Sequence, residues 1–189
     1  MNLTVLAVGD VVAAAGLSFC KAHLPTLREQ VGADFVVVNG ENAANLGIRP
    51  EQAEILLEAG ADAITLGNHT WSRREIIPML EREPRLIRPA NFAPHTPGRG
   101  WAEFDTVAGP VAVVNLIGRC GMDFTPDNPF PVAERLLRQI RTKIILVDFH
   151  AEATSGKLAM GYFLDGRVSA LWGTHTHVPT ADTQILPQG

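Results

Sequence analysis

Cysteine is scarce in this chain, and positive charge is in short supply. Cys20 and Cys120 stand far apart with no CxxC spacing. That excludes a disulfide framework and points to a reducing, cytoplasmic setting. Lysine and arginine number 16 against 20 aspartates and glutamates, a formal net charge of −4. A basic footprint for nucleic acid is therefore absent, and a phosphate-bearing ligand must be met by local positive charge. No apolar run approaches membrane length, so no membrane partner is expected. The apolar start, residues 1–8, is too short for a secretory leader and lacks a basic flank. Repeats, low-complexity tracts and interdomain linkers are absent too. What is present, 46% hydrophobic and 19% charged residues, suits one globular domain over residues 1–189 with a sizeable core.

The apolar runs share one habit: each ends in a polar cluster. Residues 3–8 predict a first strand, buried on both faces, that ends in Gly9-Asp10. A helix over 14–30 follows, bent or split by Pro25. Strand 35–38 ends in Asn39-Gly40-Glu41-Asn42. Helix 50–59 carries Pro50 in its first turn and Gly60 as its cap. Strand 62–66 ends in Gly67-Asn68-His69-Thr70, and Ser72 with Glu75 predicts a capping box for a third helix. Four prolines between 84 and 97 make 85–100 an irregular loop around a short strand. Residues 101–107 and 111–116 alternate around Gly109-Pro110 as an antiparallel hairpin. A second loop over 121–131 leads to a helix over 133–141. Strand 143–149 ends in His150, helix 151–162 follows, and a buried strand over 168–172 ends in Gly173-Thr174-His175-Thr176-His177. The order is βαβαβα, a hairpin, then βαβ, an α/β fold. Residues 184–189 read as an incomplete strand and turn, with a further C-terminal part expected.

In open α/β sheets, ligands bind outside the carboxyl ends of the strands. Asp10, Glu41, Asn68 with His69, His150, and His175 with His177 all stand there. Each has a structural reading taken alone. Asp10 can cap a helix, Glu41, Asn42 and Asn68 can serve turns, and the histidines can be solvated or structural. Their coincidence favours a shared site. His175 and His177, two apart on an extended backbone, point to the same side. Adjacent Asn68 and His69 point to different sides, so one can bind a cation while the other faces substrate. His23 belongs to a helix surface and His95 to a Pro-rich loop. Two carboxylates, an amide and three imidazoles are too many donors for one tetrahedral zinc. They suit two borderline ions bridged by one carboxylate, with Fe or Mn favoured and Zn also compatible. Two divalent ions, these carboxylates and a bridging hydroxide leave about one positive charge, which matches a phosphodiester monoanion. Arg99 and Arg119, in Gly-flanked loops, read as phosphate or base contacts or as solvated loop residues.

The clusters Asp10, Asn39-Gly40-Glu41-Asn42, Gly67-Asn68-His69-Thr70, His150 and Gly173-Thr174-His175-Thr176-His177 resemble the motif series of the calcineurin-like metallophosphoesterases. Residues 88–91, 96–100, 147–155 and 164–170 resemble one branch, the YmdB-like phosphodiesterases, so the likeness runs over essentially the whole chain. The resemblance implies a two-sheet αββα sandwich. It also implies hydrolysis of small cyclic nucleotides, 2′,3′-cyclic nucleotides opened to the 3′-phosphate, by a hydroxide activated between two metals. By that resemblance Asp10, Glu41 and His177 hold one ion, with Asn42 assisting. Glu41, Asn68, His150 and His175 hold the other, and His69 assists the leaving group. Val12 stands where the wider superfamily has a histidine, and Glu41 where it has an aspartate; both suit the branch. Residues 13–18 depart from a Gly-rich, Arg-containing turn of the branch, and the branch runs longer than this chain. Two other readings stay open: a broad phosphomonoesterase, and a regulatory or RNA-associated protein with a non-catalytic metal site. A homo-oligomer is equally open.

Overall fold

Eight strands and five helices alternate through the chain in a computed structural model that describes residues 2–189. Met1, part of the apolar start, lies outside the described residues. The first half runs β1 (Val5–Asp10), α1 (Ala13–Val31), β2 (Phe35–Asn39), α2 (Pro50–Glu58), β3 (Ala63–Thr65), α3 (Ile77–Arg82) and β4 (Leu86–Ile87). The second runs β5 (Trp101–Thr106), β6 (Gly109–Ile117), α4 (Pro129–Leu137), β7 (Ile144–His150), α5 (Thr154–Leu164) and β8 (Ala170–Thr174). They form two four-stranded sheets, ordered β1-β2-β3-β4 and β5-β6-β7-β8. All pairings are parallel except the β5–β6 hairpin.

Alternation along the strands builds four layers. In β2, Val36 and Val38 pack with Cys20, Leu24 and Leu56 of the helices, while Phe35 and Val37 face the other sheet. In β7, Ile145, Val147 and Phe149 pack with Leu136 and Met160, while Leu146 faces inward. Helix, sheet, sheet and helix therefore stack as the αββα sandwich expected. Continuing each inward series in steps of two gives Asn39 on β2, Thr65 on β3, and Asp148 and then His150 on β7. The apolar inter-sheet core thus becomes polar at one end, where the strands finish.

Several local expectations are corrected. β1 and β8 are edge strands with only one neighbour each, so both are partly exposed instead of buried. α1 passes through Pro25 as one helix. Only the carbonyl one turn earlier loses a partner, and it belongs to the exposed Lys21. Ser72 caps nothing: a 3₁₀ turn, Arg74–Ile76, leads into α3 without a side-chain cap. α4 starts at Pro129, four residues earlier than periodicity suggested, because Asn128 accepts a hydrogen bond from the Phe130 amide (3.1 Å). Prolines in a first turn lack only amides the helix does not use. Residues 184–189 form no strand; the Gln188 amide donates to Asp165 (3.0 Å). No described helix is long and apolar enough to cross a membrane.

Candidate metal centre

His150 ends β7 fully buried, and its Nε2 is the hub of the site. Glu41 Oε2 lies 2.6 Å away, Asn68 Oδ1 3.0 Å and His175 Nδ1 3.1 Å. A second group gathers around Asp10, whose Oδ1 is 3.5 Å from His177 Nε2 and 4.0 Å from His150 Nδ1. Asn42 Nδ2 lies 3.2 Å from the same His177 nitrogen. That amide nitrogen can only donate, which ties Asn42 to the His177 ring. Asp10, Glu41 and His150 each bring a ligand atom within 4.8 Å of the others. Asp10, Glu41, Asn68, His150, His175 and His177 thus come together from both sheets.

Two observations fit this donor set to cations. Asp10 Oδ1 and Glu41 Oε2 are buried without a hydrogen-bond partner. The close approach of Glu41 to His150 lacks hydrogen-bond alignment. A buried unpaired carboxylate oxygen is costly, and a cation removes that cost. Gly67 is the second observation. A Cβ there would collide with Glu41 Oε2 and with the imidazole of His150. The residue is glycine because the tips of Glu41 and His150 fill its side-chain space.

The backbone here differs from the sequence reading. His175 and His177 lie past the end of β8 with φ of 90° and 52°, so they do not project from an extended strand. They still converge, because the His175 amide donates to Asp10 Oδ2 (3.0 Å) and the Lys157 ammonium donates to Thr176 Oγ1 (3.0 Å). Asn68 and His69 do not point apart either. They occupy a turn, with Asn68 Nδ2 donating to His69 Nε2 at 3.1 Å. The His69 amide donates to Glu41 Oε1 (2.9 Å), and Ser72 Oγ, freed from capping, lies 3.4 Å from His69 Nδ1. Neither arginine contacts a donor of the cluster among the described residues. Arg99 donates to the Glu81 carbonyl (3.4 Å). Arg119 lines a separate cavity of about 550 Å³ with Phe130 and Phe149.

Sequence reasoning missed the groups behind the donors. Glu152 Oε2 lies 3.0 Å from His175 Nε2 and turns Nδ1 toward the centre. Asp148, Thr65, Asn39 and Thr174 are buried and joined by hydrogen bonds. A lone carboxylate inside the apolar run 144–149 is the signal that marks Asp148.

Burial would lower the His150 pKa, but the Glu41 carboxylate outweighs it and the net shift is upward. Burial would raise Glu41, and contact with His150 outweighs it, for a net fall. His175 is pushed down by burial and by His150. The Glu41–His150 contact therefore stabilises the cation-free protein fully below the ordinary histidine value of 6.5 and is lost as pH rises through the raised value. At the acid end it is present above 4.5 and lost as pH falls through the lowered Glu41 value. A metal needs His150 neutral. Zn(II) binding should therefore release protons from that site at pH values below the raised His150 value, and fewer as pH rises through it. Calorimetry at about pH 6, below the ordinary histidine value, in buffers of different ionisation enthalpy measures it; a buffer-independent enthalpy there would contradict the assignment.

An αββα sandwich carrying carboxylate, amide and imidazole donors at adjoining strand ends is the metallophosphoesterase arrangement, a class of divalent-metal enzymes. The family model described as "YmdB-like protein" matches residues 6–189. This chain belongs to the YmdB-like family. It is 46% identical over 192 residues to a Bacillus subtilis protein named 2′,3′-cyclic-nucleotide 2′-phosphodiesterase, covering 99% of this chain and 72% of that protein. A solved structure of a hypothetical protein from Thermus thermophilus superposes with a TM-score of 0.92 at 44% identity, covering 98% of this chain and 72% of that one. A structure titled as a novel phosphatase from Mycoplasma pneumoniae also gives 0.92, at 37% identity, covering all of this chain and 70% of that one.

Proposed function

We propose that this chain is a phosphoric ester hydrolase that opens small 2′,3′-cyclic nucleotides to the 3′-phosphate. The observation that carries the reading is the pair of buried carboxylate oxygens, Asp10 Oδ1 and Glu41 Oε2, left without hydrogen-bond partners. They stand among imidazole and amide donors in a chain 46% identical to a 2′,3′-cyclic-nucleotide 2′-phosphodiesterase. In this reading two divalent transition ions, Fe or Mn with Zn also accepted, occupy the two groupings. Glu41 serves both, Asp10 and His177 complete one, and Asn68, His150 and His175 complete the other. Bound, the ions supply Lewis-acid charge and an activated water for attack on phosphorus. Asp10 and Glu41 set the charge of the centre, so that a monoanionic diester neutralises it.

His69 has the complementary task. Its backbone is fixed to Glu41 and its ring is held between Asn68 and Ser72. Placed beside the ligands without being one, it stabilises the departing oxygen or hands it a proton. Arg119, lining its own cavity, is a candidate for the base or a non-reacting phosphate oxygen. His69→Ala is expected to lower kcat about 10²- to 10⁴-fold while metal content stays the same. Turnover of 2′,3′-cyclic AMP, with metal quantified on the same sample, tests it. A variant as active as the parent removes His69 from the chemistry. A parent inert toward every phosphodiester, with metal bound, favours the binding-protein reading.

A further inference from the structure

One carboxylate in the inter-sheet core touches no part of the reaction yet connects to both halves of the donor cluster. Asp148 on β7 is fully buried. Its Oδ1 accepts from the Thr174 hydroxyl (2.7 Å), and its Oδ2 from the Thr65 hydroxyl (2.5 Å) and Asn39 Nδ2 (3.0 Å). Thr174 Oγ1 in turn lies 2.9 Å from His150 Nδ1. Asn39 Oδ1 accepts from the Glu41 amide (3.1 Å). Every residue in this chain of contacts is buried. The partners come from β2 and β3 of one sheet and from β7 and β8 of the other.

The directions follow from counting protons. Thr174 has one hydroxyl proton, and Asp148 Oδ1 takes it. Asn39 Nδ2 (3.3 Å) approaches the same hydroxyl as a donor. The threonine oxygen can then only accept from His150, which puts a proton on Nδ1. In the neutral ring that leaves Nε2, which faces Glu41, Asn68 and His175, as the nitrogen free to ligate.

We infer that Asp148 is the positioning residue of the centre: through Thr174 it fixes the tautomer and ring angle of His150, and through Asn39 it holds the Glu41 loop at ligating distance. This rests on the metal-site reading above. The arrangement is a carboxylate–histidine–metal triad with a threonine hydroxyl inserted. Because the carboxylate draws on both sheets, it also sets their spacing where the ligands must meet.

The experiment uses the whole chain, with Zn(II) alone as probe. In long-range ¹H–¹⁵N spectra of the Zn(II)-loaded protein, His150 is expected to carry its proton on Nδ1 and bind through Nε2. Thr174→Val keeps the shape but removes the hydroxyl. It is expected to lower Zn(II) affinity about 10- to 100-fold, as is Asp148→Asn, while Thr174→Ser restores it to within about threefold. Wild-type spectra that show a bare Nδ1, with or without Zn(II), would overturn the proposal even where a variant fails to fold. So would a Thr174→Val protein that keeps both the affinity and the Nδ1 proton. Wild type that takes up no Zn(II) but shows protonated Nδ1 would instead refute the metal-site reading.

Discussion

Gly67→Ala is expected to abolish metal uptake and lower turnover more than about 1,000-fold, because bound cations supply several kcal/mol of transition-state charge stabilisation. The substituted methyl has nowhere to go. The atoms it meets are Glu41 Oε2 and the Nε2 and Cδ2 of His150, the tips of two side chains rather than backbone. The chain can therefore still fold while Glu41 and His150 are driven apart. Circular dichroism should show a folded protein, and Zn(II) calorimetry should show no tight site. A Gly67→Ala protein that binds Zn(II) like the parent would mean that the cluster does not ligate as proposed.

Glu41→Gln is expected to have an effect of similar size by a different route. The Glu41 carboxylate is fully buried. Its Oε1 accepts from the His69 amide, a bond that a glutamine oxygen can keep. The substitution therefore preserves shape and removes charge. In the proposed reading Glu41 would serve both ions, so one buried negative charge fewer would leave a pair of divalent cations less compensated, and both should weaken. Zn(II) affinity is expected to fall at least about 100-fold, beyond the effect of losing an outer hydrogen bond, with turnover falling more than about 1,000-fold. Metal content after gel filtration and turnover of a cyclic nucleotide are the measurements. Two ions still held per chain by the variant would take Glu41 out of the bridging role.

How legible was the site? Each proposed ligand was visible because it follows an apolar strand-like run, and such runs are recognisable from local alternation alone. Gly67 was visible as part of Gly67-Asn68-His69-Thr70, but its reason was not: the colliding atoms come from residues 41 and 150. The turn of His175 and His177 leaves no local signal, because positive φ at a histidine is imposed by distant partners, here Asp10 and Lys157. Ser72 has a genuine local capping pattern, yet its hydroxyl lies beside His69. Arg99 was singled out for charge and flanking glycine. Nothing local revealed that its guanidinium lies against Glu81.

The order of strands and helices, the α/β class and the positions of the donors were determined by the sequence itself, and the two-sheet αββα arrangement came from the resemblance of its motifs to the family. The first three rest on short-range physics: alternation of period two, turn and cap residues, and polar clusters where apolar runs stop. The tertiary structure alone decided which strands became exposed edges, how close Glu41 comes to His150, and that Asp148 joins both sheets behind them. Those are distances between residues tens of positions apart, and they exist only once two sheets pack face to face across a common core.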